Sequence, residues 1–252
     1  MKRGEVTEQH VKVANRDFYE AVAERYEEID GRRSSTLGEW LCRNLAAIRQ
    51  RAPGGALLDI GTGSGFVTRC AEGVFVFRIG IDLSSRILVA NRTAFDFGVT
   101  GDTDRLPFAD NSFDVVTCFA VLHHLYAFEN LVSEVARVLK AGGVFYSDHD
   151  LDWAFSKRFH VPLMLYRRLH NARSKYRKVS SVITPELYRL AEWQEDGIDS
   201  LGFIRLLEQA GFTVETNFHW FGLSRFTDRL FGKEPWTRGW APLVSLVALL
   251  PK

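Results

Sequence analysis

A bilayer-spanning stretch is missing from this chain of 252 residues: the longest apolar run near its C-terminus, Leu243 to Leu250, contains Ser245 and falls well short of the ~20 residues a membrane helix needs. Cysteine is scarce. Cys42, Cys70 and Cys118 are an odd number of isolated residues with no paired spacing, which argues against a disulfide framework or a zinc site and reads as small buried side chains. Charge of one sign is lacking too, since the formal net charge is +1 and no global field selects a partner. No apolar stretch follows Met1-Lys2-Arg3-Gly4-Glu5-Val6, so no secretory signal is expected and the protein is expected to be cytoplasmic. There is no internal repeat and no low-complexity segment. What is present, 46% hydrophobic and 25% charged residues, suffices for one large α/β domain with a substantial core.

The most informative stretch is Leu57-Leu58-Asp59-Ile60-Gly61-Thr62-Gly63-Ser64-Gly65, a buried strand breaking into a glycine loop. Gly61 and Gly63 permit backbone angles closed to other residues and let the main chain approach a ligand. A dinucleotide fingerprint would read G-x-G-x-x-G, whereas here the third glycine is Gly65 and Phe66 stands where that pattern needs glycine. The loop therefore favours a nucleoside ligand without a pyrophosphate. A second apolar run, Val74 to Ile81, ends in Asp82, placed like the carboxylate that accepts from ribose hydroxyls. Asp82 also suits an N-cap, with Ser84 and Ser85 competing before a helix carrying Ile87, Leu88 and Ala90.

The third block runs from Gly101-Asp102-Thr103-Asp104 through Leu106-Pro107-Phe108 and Phe113-Asp114-Val115-Val116 to Phe119-Ala120-Val121-Leu122-His123-His124. With the loop at Asp59 to Gly65 and the stretch Glu134 to Gly143, it resembles the class I S-adenosylmethionine-dependent methyltransferases, in particular the small-molecule, quinone-methyltransferase-like subgroup, over roughly residues 55 to 147. The resemblance implies a Rossmann-like α/β fold: a seven-stranded, mostly parallel sheet flanked by helices, with an insertion after strand five.

Periodicity supplies the elements. Strands are expected at Ala56 to Ile60, Val74 to Ile81, Phe97 to Thr100, Phe113 to Phe119, Gly143 to Ser147 and Phe212 to Asn217, alternating with helical patterns as a parallel sheet requires. The stripe Leu131, Val135, Val138 and Leu139 ends at Gly142-Gly143, and Asp199 or Ser200 can cap a helix that Gly211 stops. By the resemblance, Val244 to Leu250 is an antiparallel seventh strand inserted beside strand six. One domain is expected, divided into a helical cap (1–52), a cofactor-binding core (53–150), a basic helical insertion (151–198) and a C-terminal part with strands six and seven (199–252).

Ligands of such sheets bind outside the carboxyl ends of the strands. The resemblance implies S-adenosylmethionine as cofactor, yielding S-adenosylhomocysteine. Asp59, Gly61, Thr62, Gly63 and Gly65 would form its loop, Asp82 would hold the ribose, Leu83 would pack on the adenine, Asp102 and Thr103 would meet the adenine edge, and Phe119 would line the floor near the sulfonium. Asp104 and Asp110 read as solvated turn residues. Phe18 to Tyr26 resembles the subgroup's aromatic helix over the cofactor; Tyr19 and Tyr26 share a helical face, so Tyr19 is a candidate cap, although such stripes are also built for core packing.

Methyl transfer from a sulfonium is an in-line displacement governed by alignment. An acceptor hydroxyl or acidic carbon must also lose a proton, and His123, His124 and His149 are the candidate proton acceptors. Paired histidines at 123 and 124 also suit a structural role, and His149 between Asp148 and Asp150 reads as a polar pocket rim or a solvated loop rather than a metal site. No Asn/Asp-Pro-Pro-aromatic motif follows strand four, which disfavours methylation of a planar exocyclic amine. A small, lipophilic or aromatic acceptor methylated on oxygen or carbon is expected, with an RNA-directed methyltransferase and a non-catalytic cofactor-binding module as alternatives.

Acceptor choice should lie in two segments. From Trp153 to Ile198, Lys157, Arg158, Arg167, Arg168, Arg173, Lys175, Arg177 and Lys178 interleave with Phe155, Phe159, Leu163, Tyr166 and Leu169, a pattern compatible with a peripheral membrane surface, an anionic substrate, RNA or a solvated lid. The second joins strands six and seven and carries Trp220, Phe221, Phe226, Phe231, Trp236 and Trp240, either as a wall of the acceptor pocket or as staples for a long loop.

Overall fold

The computed structural model describes residues 6–26, 35–169, 176, 180–232 and 235–252. Arg173, Lys175, Arg177 and Lys178 of the basic insertion lie outside them. Buried aliphatic runs form the centre of the sheet: β1 (Ala56–Ile60), β4 (Phe113–Phe119) and β5 (Leu139–Leu151) contribute Leu57, Leu58, Val115, Val116, Val144 and Phe145, all fully buried because helices cover both faces. With β2 (Phe77–Asp82), β3 (Phe97–Thr100), β6 (Thr213–His219) and β7 (Leu243–Leu249), the seven strands run in the order β3-β2-β1-β4-β5-β7-β6. β7 is antiparallel to both of its neighbours, so it lies between β5 and β6. The strand order reverses between β1 and β4, which opens a crevice at their carboxyl ends.

The helices in chain order are α1 (Glu8–Val22), α2 (Ser35–Arg51), α3 (Phe66–Cys70), α4 (Ser85–Ala90), α5 (Glu129–Val138), α6 (Trp153–Arg158), α7 (His160–Leu169), α8 (Pro185–Ala191), α9 (Ser200–Gln209) and α10 (Arg225–Phe231). None of the described helices is long and apolar enough to cross a membrane. α5 buries Leu131, Val132, Val135 and Val138 against the sheet, and α9 adds Phe203 and Leu207. α2 buries Leu41, Leu45 and Ile48 on the other face. The caps follow the local chemistry: Ser84 Oγ accepts from Ile87 N on α4 and Thr184 Oγ1 from Leu187 N on α8. Asp199 stands at the N-cap of α9 without a side-chain cap bond.

Several elements differ from the periodicity. Val74 to Val76 do not belong to the second strand. The amides of Val74 and Phe75 donate to Ala71 O in a turn, and Val76 is 87% exposed. β5 begins at Leu139, directly after α5, and Gly142 (φ +76) lies within it as an irregularity. The same strand continues past Ser147 through Asp148, His149, Asp150 and Leu151, with a bulge between Ser147 and Asp150 that lets it pair on with β7. Asp148-His149-Asp150 is thus buried strand, and its polar groups find partners on distant elements. β6 and β7 end at His219 and Leu249, slightly displaced from the expected limits. The cysteines are free thiols; Cys70 on α3 neighbours Cys42 on α2, and burial, then Cys42, pushes its thiol up to about 12.

Gly65 is the N-cap of α3 at φ +74, and a Cβ there would meet the Ala94 Cβ at 2.3 Å. Its requirement is therefore packing of the loop on the α4–β3 connection. Gly65→Ala combines left-handed strain with that overlap and is expected to lower stability by at least about 2 kcal/mol, read from urea unfolding.

Candidate functional site

The crevice is a cavity of about 490 Å³ between the strand ends and α1. Tyr19, Asp59, Gly61, Thr62, Gly63, Asp82, Leu83, Asp102, Thr103, Phe119, His123 and His124 all line it; Gly65 and His149 do not. Gly61 (φ +63) is a glycine for two reasons, its backbone angle and Val121, whose Cγ2 would lie 2.6 Å from a Cβ. Gly63 (φ +52) has only the Tyr26 ring at 3.5 Å, so its backbone faces the open cavity.

Two carboxylates stand on this wall, Asp59 buried and Asp82 half-buried. Asp59 Oδ1 accepts from Thr117 Oγ1 at 2.7 Å, while its Oδ2 is buried and accepts no hydrogen bond among the described residues. Asp82 Oδ2 accepts from Gly63 N at 3.0 Å and Oδ1 from Ser84 N at 2.9 Å, which fastens the glycine loop to β2. Burial pushes the Asp59 carboxyl up to about 7 and the Asp82 carboxyl up to about 6.

α1 forms the roof. Glu20 Oε1 accepts from Ser84 Oγ at 2.9 Å and from Arg86 N at 3.2 Å at the start of α4. Asn15 Nδ2 donates to His124 O at 3.1 Å. Lys12 Nζ lies 2.8 Å from Asp102 Oδ2 and 3.0 Å from Glu8 Oε1 and bonds Asp104 as well, so Asp104 is an ion-pair partner of the roof rather than a solvated turn residue. Burial opposes the Lys12 charge, and these carboxylates outweigh it, holding the ammonium above its ordinary range. Asp110 is exposed and pairs with Arg137 at 2.8 Å. Tyr19 packs edge-on to Tyr26 at 5.5 Å and to Phe18 at 5.2 Å, and Phe18 packs on Tyr188 of α8 at 6.1 Å.

The three histidines have three environments. His124 Nδ1 lies 2.7 Å from Ala191 O, an acceptor only, so it carries the proton; Nε2 accepts from Tyr19 Oη at 2.8 Å. Both nitrogens are spent joining α1 to α8, and burial, then His123, holds the imidazole down near 4. His149 (φ +68) lies behind the cavity wall, its ring stacked on Phe119 at 4.3 Å and its Nδ1 2.8 Å from Asp148 Oδ1. It is therefore no polar rim: Phe119 separates it from the cavity. His123 lines the cavity. Its Nδ1 lies 2.6 Å from Asp150 Oδ1, a buried carboxylate fixed by the amides of Leu122 (3.2 Å) and His123 (3.0 Å), and its Nε2 lies 3.5 Å from Glu192 Oε2.

Among the described residues, two groups bring three possible metal ligands within 4.8 Å: His123, His124 and Glu192, and Asp148, His149 and His219. Hydrogen bonds account for much of each. His219 Nδ1 accepts from Phe221 N, so its Nε2 carries the proton donated to Asp148 at 2.9 Å and is closed to a cation. Tyr166, named in the acceptor segment, lines the cavity, as do Glu8, Lys12, Asn15, Glu192, Tyr176, Gly222 and Leu223, which were not read individually from the sequence. Each lies far along the chain from the motif residues it faces, and only the lysine–aspartate complementarity offered a signal.

The topology with its single antiparallel strand, the glycine loop and the two carboxylates at the strand edge define a class I S-adenosylmethionine-dependent methyltransferase. A methyltransferase-domain family model matches residues 58–147. The ubiquinone biosynthesis O-methyltransferase of Burkholderia vietnamiensis is 30% identical over 184 residues, 70% of this chain and 69% of that protein. The demethylmenaquinone methyltransferase of Corynebacterium glutamicum strain R is 37% identical over 91 residues, 36% of this chain, and the chain spans only 40% of its length. Magnesium protoporphyrin IX methyltransferase from Synechocystis, solved with S-adenosylhomocysteine, superposes with a TM-score of 0.59 at 14% identity over 94% of this chain and 99% of that one. The chain belongs to the S-adenosylmethionine-dependent methyltransferases, whose cofactor is S-adenosylmethionine. The cavity suits it: Asp59 Oδ2 is an orphaned acceptor for a cation, and Gly63 leaves a bare backbone beside Asp82.

Cofactor affinity should depend on pH through these carboxylates. Hydroxyl and ammonium donors bind an ionised carboxylate better than a protonated one, so a ligand that brings such donors to Asp59 and Asp82 lowers their pKa values and releases protons. Affinity for S-adenosylhomocysteine is expected to rise from pH 5 to pH 7.5, about tenfold for each unit by which binding lowers a pKa. Asp82→Ala should weaken binding by about 1.5 to 3 kcal/mol and flatten the part of the profile near pH 6. Calorimetry in buffers of different ionisation heat checks both.

Proposed function

We propose that the protein transfers the methyl group of S-adenosylmethionine to an oxygen or acidic carbon of a small, lipophilic, ring-bearing acceptor. The observation that carries the acceptor chemistry is the His123–Asp150 pair on the cavity wall at the end of β4. A buried carboxylate on Nδ1 keeps the proton there and leaves Nε2 as the nitrogen that takes a proton, with Glu192 Oε2 at 3.5 Å to stabilise the charge it acquires. His123 takes the acceptor's proton as the sulfonium methyl arrives in line. Asp150 is a positioning residue that fixes the imidazole and stabilises its protonated form. His124 holds the roof, and His149 supports Phe119 from behind.

The cofactor roles are assigned by position. Asp82 binds the ribose hydroxyls, Leu83 packs on the adenine, and Gly61, Thr62 and Gly63 carry the methionine and sugar. Asp59 Oδ2 receives the methionine ammonium. Asp102, already bonded to Lys12, shares its carboxylate between that lysine and the adenine amine. Phe119 and Phe66, 5.9 Å apart, give the floor an apolar surface, and Tyr166, Tyr176 and Leu223 add ring and aliphatic surface toward the opening. Such walls favour a planar or lipophilic acceptor, and the names of the two quinone-related relatives point the same way.

The test is a mass-shift screen of phenols, quinols and enolisable rings with isotopically labelled cofactor. Transfer to one such class, and none to RNA, supports the reading. With that acceptor, His123→Ala should lower kcat about 10²- to 10³-fold and Asp150→Asn at least about tenfold, with cofactor affinity unchanged. His124→Ala should instead raise the cofactor's dissociation rate. Equal turnover in the His123 variant overturns the base assignment.

A further inference from the structure

Two helices beside the cavity carry apolar side chains that nothing in the described structure covers. On α7, Val161, Met164 and Leu165 are exposed at the i, i+3, i+4 spacing of one face; on α10, Phe226 (70% exposed) and Leu230 are exposed at i, i+4. The two helices sit at one opening. Tyr166 of α7 and Leu223, just before α10, both line the cavity and both are about half exposed. Their segments are joined below by an aromatic stack in which Trp220 meets Phe155 at 5.1 Å and Phe231 at 5.4 Å.

Cations predominate among the described residues of these helices. Lys157, Arg158, Arg167 and Arg168 lie on α6 and α7, which carry no Asp or Glu, and Arg225 and Arg229 on α10 are exposed on either side of Asp228, whose Oδ1 accepts from Gly222 N. Arg167 is spent on Asp196 at 2.8 Å and Arg158 stacks over Trp240 at 4.2 Å, but Arg168, Arg225 and Arg229 reach solvent beside the apolar residues. Exposed aliphatic and phenyl groups contribute nothing to phosphate contact on RNA. Interleaved with cations, they match an interface where acyl chains lie under anionic headgroups. We propose that the α7–α10 rim docks on the surface of an anionic phospholipid bilayer, so that the cavity opens toward the membrane and takes a lipophilic acceptor from it. This rests on the lipophilic-acceptor reading above.

The experiment is flotation of the full chain with vesicles of phosphatidylcholine alone and of phosphatidylcholine containing about one third phosphatidylglycerol, at low and high ionic strength. Partitioning is expected to be at least about tenfold stronger on the anionic vesicles and to fall without vanishing as salt rises. Met164→Asp combined with Phe226→Asp should cut it about tenfold, whereas Val89→Asp, exposed at the far edge of the sheet, should not change it. Unchanged S-adenosylhomocysteine affinity establishes that these variants fold. Equal binding to both vesicle types, equal binding by the double variant, or a self-association of the wild type that the double variant abolishes would each overturn the proposal. So would RNA competition that displaces wild type and double variant alike. Cofactor binding and transfer to a detergent-dispersed acceptor are read separately, so loss of the chemical reading leaves the vesicle result standing.

Discussion

The Asp82 carboxylate is the constraint on which the crevice depends. Its two oxygens accept from the amides of Gly63 and Ser84, so one half-buried carboxylate fixes the glycine loop after β1 and the turn after β2 together. Backbone donors hold this group in place of a cation, which leaves its charge uncompensated and its protonation sensitive to any ligand that brings donors. Asp59, one strand away and with one oxygen unsatisfied, repeats the situation. A fold that sets a buried and a half-buried carboxylate at neighbouring strand ends has set aside stability at this edge for a ligand to restore.

The roof follows from that edge. α1 is fastened to the loops after β2, β3 and β4, through Glu20, Lys12 and Asn15 respectively. Each contact reaches a strand end that also faces the cavity, so lifting α1 breaks polar contacts at three points together. His124 extends the same device to the insertion: its two nitrogens bridge Tyr19 of α1 and Ala191 of α8. Roof and insertion are therefore joined through one imidazole.

Local signals carried most of the cofactor side. The runs Leu57–Ile60 and Val115–Cys118 are legible because central parallel strands are apolar on both faces, and the glycine spacing is legible because the backbone angles demand it. Asp148-His149-Asp150 was illegible. Three polar residues in succession read as a loop, yet they are buried in β5, because Asp148 finds Tyr146 and His219, and Asp150 finds His123. Nothing near residue 148 announces a partner at 219. The bulge at Ser147–Asp150 is equally silent in sequence, although it turns neighbouring carboxylates toward different partners. Lys12 and Asp102 are likewise ninety residues apart, and their pairing appears only once β3 is placed beside β2.

The aromatic-rich connection between β6 and β7 is a staple and not an aromatic wall of the pocket: none of its six aromatic residues lines the cavity. Trp220, Phe231 and Trp236 stack on one another and on Phe155, which staples the connection to α6, and Trp236 N and Nε1 donate to Phe218 O and Phe231 O. The cavity receives backbone and one aliphatic side chain instead, at Gly222 and Leu223. The reason is steric. His149, left-handed and stacked behind Phe119, occupies the space where a side chain at 222 would go, and a Cβ there would lie 2.4 Å from His149 Nε2. Gly222 itself adopts φ +90, and its amide donates to Asp228 Oδ1 at 2.8 Å. Position 222 is thus restricted to glycine by backbone angle and by the histidine together. At Gly222 the cavity is consequently lined by main chain, which rotamer changes cannot enlarge.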